Sequence, residues 1–346
     1  MAFRPLAGIR VVDLTSSLAG PACTQLLAAL GAEVTKVERP DGDEARAWGP
    51  SMFFAVNGGK RSVVLDLRVE ADREELLRLA AQADVFVTSL RPGAAERLRL
   101  GPDDVPARIY CRIDAFGPGP LGDEPGYDPL MQAFAGLLSV TGEPDGATVR
   151  VGVSLVDYAT AWWASIGILS ALQSGDRHVV EVSLFETALA LAGYHVADAL
   201  AGDEPRKHGS AFPHIAPYQV FATLDGEVML AAANDRLFGE LERRLELPVD
   251  ERFATNAWRV AHREALAELI QERLQREPTA VWLERLRGIP IAPVQTIREA
   301  AEHPHTRALG IVQTLGGRAR LAEPLRIDGE RVRVDTPPPE LGQPAR

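Results

Sequence analysis

Short apolar runs alternate with helical spacing through the first third of the chain. Runs rich in valine and isoleucine occupy residues 9–14, 32–38, 62–67, 84–88 and 108–113. Runs of this length and composition are typical of strands buried on both faces. Helical spacing lies between them, and Pro21 suits the first turn of one helix because its missing N–H needs no partner there. The alternation predicts a mainly parallel sheet with helices on both faces.

The longest apolar run covers residues 152–172 and carries one charge, Asp157, near its start. The uncharged stretch from Tyr158 onward predicts a buried helix, and we expect it to be too short to span a bilayer. A carboxylate at the mouth of such a helix has two interpretations. One is an N-cap, because aspartate oxygens accept the first free N–H groups of a helix. The other is a nucleophile that the helix N-terminus keeps ionised and directs into a cleft.

The second half of the chain predicts a domain boundary. Residues 202–213, GDEPRKHGSAFP, have the glycine, proline and charge content of a linker. A hairpin around Asp225-Gly226 follows, and then two or three amphipathic helices. We therefore predict a large domain at 1–201, a linker at 202–217, a small α+β domain at 218–300, and a C-terminal segment, 301–346, that returns to the large domain.

Composition and charge narrow the classes of function. Of 346 residues, 46% are hydrophobic and 25% charged, as in ordinary globular proteins. The formal net charge of −11 argues against binding to nucleic acid or to acidic membranes, so a phosphate-bearing ligand needs a local cluster of cations. Cys23 and Cys111 stand in apolar or strand-like surroundings and are expected to be buried thiols, not a disulfide or a metal pair. With no charged leader before the first strand, we expect a cytoplasmic protein.

Three loops are predicted at the carboxyl edge of the sheet, where ligands of parallel sheets bind. They are residues 15–19, 38–39 and 88–91. The first of these turns lacks the G-x-G-x-x-G pattern, so we expect no nicotinamide or other redox dinucleotide. The sequence also lacks P-loop and metal-ligand spacings, and we expect no metal.

Seven segments resemble the family III CoA-transferases, the group of formyl-CoA:oxalate and carnitine CoA-transferases, whose fold α-methylacyl-CoA racemase shares. They are DLTSSLAGPACTQLLAALGAEVTKVERPDGD, NGGKRSVVLDL, RPGAAERL, PGYDPLMQAFAGLLSVTG, the Asp157 segment, HGSAFPHIAPYQVF and IPIAPVQTIREAAEHPHTRALG. They extend over residues 13–310 in the family's order. The resemblance implies an α/β fold with a Rossmann-like large domain and a smaller α+β domain, in an intertwined homodimer.

The resemblance also favours the nucleophile over the cap. Asp157 matches the family's catalytic aspartate, which attacks an acyl-CoA thioester, forms a mixed anhydride and then an aspartyl-CoA thioester, and passes CoA to a free carboxylic acid. Tyr127 matches a position that faces this aspartate; its alternative is a core tyrosine with a satisfied hydroxyl.

Coenzyme A (CoA) is the ligand that the resemblance implies, as part of the acyl-CoA substrate. The matching positions are Ser16, Ser17, Leu18, Ala19, Arg39, Lys60 or Arg61, Leu90 and Arg97. Each arginine alone could equally belong to a solvated face. Because the loops converge, Arg39 and Arg97 are the stronger candidates.

Two further hypotheses remain beside the transferase. The racemases carry a histidine where this chain has Tyr127, and a glutamate where it has Asn234, so a second proton-transfer group is missing. A non-catalytic CoA-binding subunit is the third hypothesis, because the loop before residue 178 is shortened to SGDRH and a glycine-rich shielding loop has no clear counterpart. The sequence does not identify the donor or the acceptor acid.

Overall fold

The computed structural model describes residues 3–343 and divides into two compact units. The first unit comprises Met1–Leu137, Arg150–Asp203 and Pro304–Arg346. The second comprises Leu138–Val149 and Glu204–His303.

A six-stranded sheet forms the centre of the first unit. Its strands are β1 (Arg10–Leu14), β2 (Glu33–Glu38), β3 (Lys60–Val64), β4 (Val85–Thr88), β5 (Ile109–Asp114) and β6 (His178–Ser183). They run in the order β3-β2-β1-β4-β5-β6, and every pairing is parallel. The predicted mainly parallel sheet is therefore confirmed. The strand order reverses between β1 and β4, and a crevice opens at such a point.

Within the described residues, eight helices precede Glu204 and accompany this sheet. They are α1 (Ala19–Ala29), α2 (Pro50–Val56), α3 (Glu70–Ala80), α4 (Pro92–Arg97), α5 (Asp128–Phe134), α6 (Leu155–Ser174), α7 (Leu184–Leu191) and α8 (Gly193–Ala201). Val11 and Val12 show how the two faces are filled, because successive strand residues point to opposite sides. Val11 packs in a cluster with α1 and α6, and Val12 packs in another with α3.

Helix α2 was not expected from the sequence. Phe53, Phe54 and Val56 look like the start of an apolar strand, yet they belong to a helix that begins at a proline. Gly59, at φ +78°, follows the helix, and β3 begins at Lys60 instead of residue 62.

Helix α6, at Leu155–Ser174, extends beyond both ends of the uncharged run from which a helix was predicted. Its 20 residues are enough, by length and composition, to cross a membrane, so the expectation that the run is too short was wrong. Core helices pass the same test, and the face that carries Ala161, Ala164 and Ile168 is buried in the first unit.

The second unit holds the predicted hairpin, and four helices lie between residues 235 and 287, where two or three were expected. The hairpin strands, β7 (Tyr218–Ala222) and β8 (Glu227–Ala231), pair antiparallel with each other, and β8 pairs antiparallel with β9 (Ile291–Pro293). The helices are α9 (Asp235–Leu245), α10 (Asn256–Ala261), α11 (Arg263–Leu274) and α12 (Thr279–Arg285), with α13 (Ile297–Glu302) after β9. Leu241, Ile270 and Trp282 lie in its apolar core.

From Glu204 onward, the segment predicted as a linker belongs to the second unit, and so does Leu138–Val149, which was expected in the large domain. Backbone contacts explain this difference. Gly209 N–H donates to the carbonyl of Gly142, and the Lys207 ammonium donates to the carbonyls of Gly146 and Ala147.

The C-terminal segment from Pro304 belongs to the first unit. It contains α14 (Pro304–Leu309) and the strands β10 (Val312–Leu315), β11 (Arg318–Leu321), β12 (Arg326–Ile327) and β13 (Glu330–Arg331). Beyond them, the Thr336 carbonyl accepts from Gly59 N–H, and Gly342 N–H donates to Ser62 Oγ. The tail is thereby attached beside β3.

Candidate active site

A cleft of about 290 Å³ opens at the carboxyl edge of the sheet, next to the crossover of β1 and β4. We call it the Asp157 cleft. Its walls come from the loops after β1, β2, β4 and β5 and from the first turns of α1, α6 and α7. Its polar lining is Ser16, Ser17, Glu44, Ser89, Arg91, Asp114, Glu124, Tyr127 and Asp157.

Asp157 is the third residue of α6 and lies in its first turn. Ser154 occupies the N-cap position, so the interpretation of Asp157 as the cap is wrong. Its side chain is half-buried and lines the cleft. Burial raises the pKa of this carboxyl to about 7, and the negative charge of Asp128 adds to the shift. A carboxyl that titrates near neutrality in a cleft is a candidate reactive group.

Tyr127 stands directly before α5 and is 48% exposed, so it is not a core tyrosine. Its hydroxyl donates to Glu44 Oε2 at 3.2 Å, and its ring meets Trp48 edge-on with centroids 6.2 Å apart. Partial burial and the Glu44 charge raise the pKa of the phenol. Tyr127 is therefore a neutral hydrogen-bonding group on the cleft wall.

The turn after β1 carries the predicted Ser16–Ala19 positions. Ser17 has φ +69°, a left-handed conformation that is uncommon for a residue with a side chain. Its N–H donates to Asp43 Oδ1 at 3.0 Å. Leu18 is buried at the N-cap of α1, and a Cβ on Gly20 would lie 2.4 Å from Thr15 Cβ, so glycine lets α1 begin close to the turn. The first turn of α1 thus faces the cleft.

A second cleft, of about 510 Å³, shares Ser16, Glu44 and Ser89 with the first. We call it the Arg39 cleft. Apolar side chains form much of its wall, namely Leu14, Val37, Leu65, Leu67, Leu90 and Leu98. Arg39 and Arg68 are the cations on its lining. The structure therefore brings together Ser16, Arg39 and Leu90 from the predicted set.

Lys60 and Arg61 lie elsewhere, at the start of β3 and hence at the amino edge of the parallel sheet. Lys60 is buried, and its ammonium donates to Asp13 Oδ2, Asn57 Oδ1 and the Pro21 carbonyl, which uses all three protons. Burial lowers the pKa of this ammonium to about 8, although the Asp13 charge opposes the shift. The expectation that Lys60 meets a phosphate does not fit this position.

Arg61 and Arg97 line neither cleft. Arg61 pairs with Glu33 at 3.3 Å on the surface, and Arg97 is an exposed residue at the end of α4. Leu18 is likewise outside both linings, because its side chain packs into the protein.

A buried network of charges supports the turn after β1. Asp13 accepts hydrogen bonds from Thr15 N–H and from Lys60, and Lys36 Nζ donates to the Thr15 carbonyl at 2.8 Å. Lys36 also forms an ion pair with Asp43 at 2.8 Å, and both side chains are buried. The two lysines and two hydrogen bonds from threonine hydroxyls hold the pKa of Asp13 far below its usual range, although burial alone would raise it. The network fixes the backbone of the turn.

Sequence reasoning missed four groups at this edge: Glu44, Arg91, Asp114 and Asp128. Arg91 follows β4 and Asp114 ends β5, so the rule that ligands bind at the carboxyl ends of strands could have found both. Burial raises the pKa of Asp114. Both cysteines are buried thiols, as expected. Within residues 3–343, no group of three His, Cys, Asp or Glu side chains is arranged to hold a metal ion.

Comparison with known proteins gives one family. The model of CoA-transferase family III matches residues 6–345. The acetyl-CoA:oxalate CoA-transferase of Acetobacter aceti is 36% identical over 94% of this chain and 90% of its own length. The succinyl-CoA:glutarate CoA-transferase of Mus musculus is 34% identical over 99% of this chain and 85% of its own.

Solved structures agree with this assignment. A CAIB/BAIF family protein from Brucella suis superposes with a TM-score of 0.87 at 36% identity, covering 98% of this chain and 96% of its own. The Mycobacterium tuberculosis protein Rv3272 gives a TM-score of 0.89 at 31% identity, with 98% of both chains covered. The chain belongs to CoA-transferase family III.

Proposed function

We propose that this protein moves CoA from an acyl-CoA donor to a free carboxylic acid, with the Asp157 carboxylate as the nucleophile. The observation that carries the proposal is the Asp157 carboxyl, which lies in the first turn of a long core helix, lines a cleft and has a pKa raised to about 7. A more basic carboxylate is a stronger nucleophile, and at neutral pH a large fraction is still ionised.

The steps balance without an external energy source. The Asp157 carboxylate attacks the thioester carbonyl, the C–S bond breaks, and CoA leaves as a thiolate. The thiolate attacks the aspartyl carbonyl of the mixed anhydride, which frees the donor acid and leaves an aspartyl-CoA thioester. The acceptor carboxylate attacks that thioester and displaces the thiolate again. The thiolate then attacks the acceptor's acyl carbon, giving the new CoA thioester and restoring Asp157.

Groups around Asp157 support these steps. The first turn of α1, at Ala19 and Gly20, brings the positive end of a helix dipole to the cleft, where thiolate and oxyanion charge develop. Tyr127 is held by Glu44 on the cleft wall and can position the acyl group or the acceptor. Arg91 is the cation of the cleft lining and suits an acidic substrate.

The Arg39 cleft suits the nucleotide end of CoA. Its leucines offer an apolar surface for the adenine, and Arg39 can meet a phosphate. The Ser16–Ala19 turn lies between the two clefts and would carry the pantetheine arm toward Asp157. Arg97, exposed on α4, remains a proposed phosphate contact.

The acceptor we propose is a small dicarboxylic acid. The names of the relatives mention glutarate, oxalate and mesaconate, and each of these carries two carboxylates. One carboxylate would react, and Arg91 offers a partner for the other. The racemase hypothesis gains no support, because Asn234 caps α9 by accepting from Leu237 N–H.

We also infer an intertwined homodimer. Trp162, Trp163 and Ile166 form a face of α6 in which each side chain is more than half exposed, at 53%, 51% and 53%. Adjacent large apolar side chains with this exposure are typical of a protein–protein interface. The chain leaves the first unit after Asp203 and returns at Pro304, which is the connectivity that an interlocked ring needs. Light scattering during size exclusion tests this, and a monomer at micromolar concentration would reject it.

A reducing compartment such as the cytoplasm fits the two buried free thiols, Cys23 and Cys111. Cell fractionation tests this inference directly.

The activity is tested by chromatography of CoA esters after mixing one acyl-CoA with a panel of acids. We expect a new CoA ester with one or a few dicarboxylic acids, and no product from the Asp157→Ala variant. Exchange of the α-proton with deuterium from solvent, in the absence of any acceptor acid, would favour the racemase instead.

A further inference from the structure

The helix that carries Asp157 begins without a side-chain cap of its own. Ser154 holds the N-cap position, but its hydroxyl accepts no capping hydrogen bond. The first N–H groups of a helix need acceptors from elsewhere. Leu155 N–H donates to the Val153 carbonyl, and Tyr158 N–H donates to the Ser154 carbonyl, which leaves the two residues between them.

Asp128, in the first turn of α5, serves those two groups. Its Oδ2 accepts from Val156 N–H at 2.7 Å and from Asp157 N–H at 3.3 Å. Its Oδ1 accepts from Gln132 Nε2 at 2.6 Å, and Gln132 Oε1 in turn accepts from Val151 N–H at 2.9 Å. Asp128 and Gln132 are both buried. A continuous chain of hydrogen bonds therefore joins α5 to the segment that leads into the nucleophile.

The carboxyls of Asp128 and Asp157 differ in the hydrogen bonds that they accept. Asp128 accepts three hydrogen bonds. The Asp157 carboxyl accepts none within the described part of the chain, and its pKa rises because of burial first and the charge of Asp128 second. The hydrogen bonds that Asp128 accepts therefore fix its position against the first turn of α6.

We propose that Asp128 is a positioning residue for Asp157: it caps the first turn of α6 from α5 and holds a fixed negative charge behind the nucleophile. The proposal rests on the proposed function. Capping sets where the Asp157 backbone lies against the cleft. The fixed charge makes the Asp157 carboxylate more basic, and a more basic carboxylate forms the acyl bond more readily.

Other groups near Asp157 bear on its titration. The charged and titratable side chains that share its cleft are Glu44, Arg91, Asp114, Glu124 and Tyr127, and Tyr158 follows it on α6. These groups are the same in all the Asp128 variants compared below. A difference in the midpoint of the pH profile between those variants is therefore due to Asp128.

The test compares Asp128→Asn with Asp128→Ala in single-turnover formation of the CoA adduct, measured from pH 5.5 to 9. Asparagine keeps an oxygen that can cap α6 but loses the charge. We therefore expect the midpoint of its pH profile to fall by about 1 pH unit, with the rate at high pH reduced less than about tenfold. Alanine loses both, and the rate at high pH should fall by about 100-fold because the nucleophile is displaced.

Asp250→Asn is the matched control. Asp250 also caps a helical turn, accepting from Arg252 N–H at 2.8 Å, but it lies in the second unit and lines neither cleft. Its pH midpoint and rate should equal those of the wild type.

Two results separate the possible failures. If folded Asp128→Asn has the same midpoint in its pH profile as the wild type, the role of the Asp128 charge is overturned. A merely structural role of Asp128 predicts that unchanged midpoint together with a lower melting temperature. If the wild type forms no adduct with any donor, the proposed function itself fails. If Asp128→Ala does not fold, Asp128→Asn alone still decides, because its midpoint either moves or does not.

Discussion

Two aspartates in the first unit, the buried Asp13 and the half-buried Asp157, have opposite environments. Asp13 accepts hydrogen bonds from Thr15, Thr24 and Lys60, and its pKa lies far below the usual range. Asp157 accepts no hydrogen bond in the described residues, has Asp128 for a neighbour, and has a pKa of about 7. Asp13 lies near the carboxyl end of β1, and Asp157 lies in the first turn of α6.

The difference between the pKa values of Asp13 and Asp157 shows that the surroundings of an aspartate determine whether it is a structural charge or a reactive group. Burial penalises the charged form of both carboxyls, and the sign of the final shift depends on which partners are present. Lysines and hydroxyl donors make Asp13 a permanent structural charge. Burial, to which the charge of Asp128 adds, gives Asp157 a pKa of about 7, in the range where reactive groups titrate.

Removal of the Asp157 carboxyl should have the largest effect on activity. In Asp157→Ala, turnover between acyl-CoA and the acceptor acid should fall by at least about 10³-fold, because the covalent route is lost. CoA affinity, measured by calorimetry, should change less than about twofold. Residual turnover within tenfold of the wild type would contradict the assignment of Asp157.

Removal of the structural partner should act on stability. Lys60→Met leaves Asp13 buried without its main cation, and the free energy of unfolding should fall by about 3–5 kcal/mol in urea titration. In the double variant Asp13→Asn/Lys60→Met the loss should be smaller, because no charge is stranded. A Lys60→Met protein of normal stability with weaker CoA binding would restore the phosphate role that the sequence suggested.

The pH dependence of stability should have opposite signs at the two sites. The raised pKa of Asp157 means that its contribution to stability is complete below about pH 4 and lost as the pH rises through about 7. Asp157→Asn should therefore raise the melting temperature more at pH 8 than at pH 5. The Asp13 contribution is present above about pH 4 and is lost only in strong acid. An equal change in melting temperature at both pH values would argue that the pKa of Asp157 is not raised.

The smallest expected effect concerns the surface arginines. Arg39→Ala should weaken CoA binding by about fivefold, because an exposed cation loses a phosphate at the Arg39 cleft. Arg61→Ala is its control, since Arg61 lies at the amino edge of β3 and should change the affinity by less than about 1.5-fold. Equal losses in both variants would place the CoA phosphates elsewhere.

Much of the fold could be predicted because strands buried on both faces leave continuous apolar runs. β1, β2, β4 and β5 were found in this way. Helix α2 was missed because Phe53 and Phe54 look strand-like in isolation. The inclusion of residues 138–149 in the second unit depends on hydrogen bonds to residues 207–209, and such long-range contacts leave no local pattern.

The site was predictable where the chemistry is local. Asp157 stands out as the one charge at the start of a long apolar run. Whether it caps that run depends on Asp128, 29 residues earlier, which takes over the capping. Lys60, which the family resemblance offered together with Arg61, is buried on a partner, Asp13, that lies 47 positions away, and a contact of that range leaves no local pattern in the sequence.

Intact-protein mass spectrometry tests the central claim most directly. Wild-type protein and Asp157→Ala are each incubated with a panel of acyl-CoA thioesters and then with candidate dicarboxylic acids. The account predicts an adduct with the mass of CoA less one water on the wild type, absent from the variant, and discharged by the true acceptor acid. Wild-type protein that binds CoA but forms no adduct with any donor, or an adduct that persists in Asp157→Ala, would contradict it.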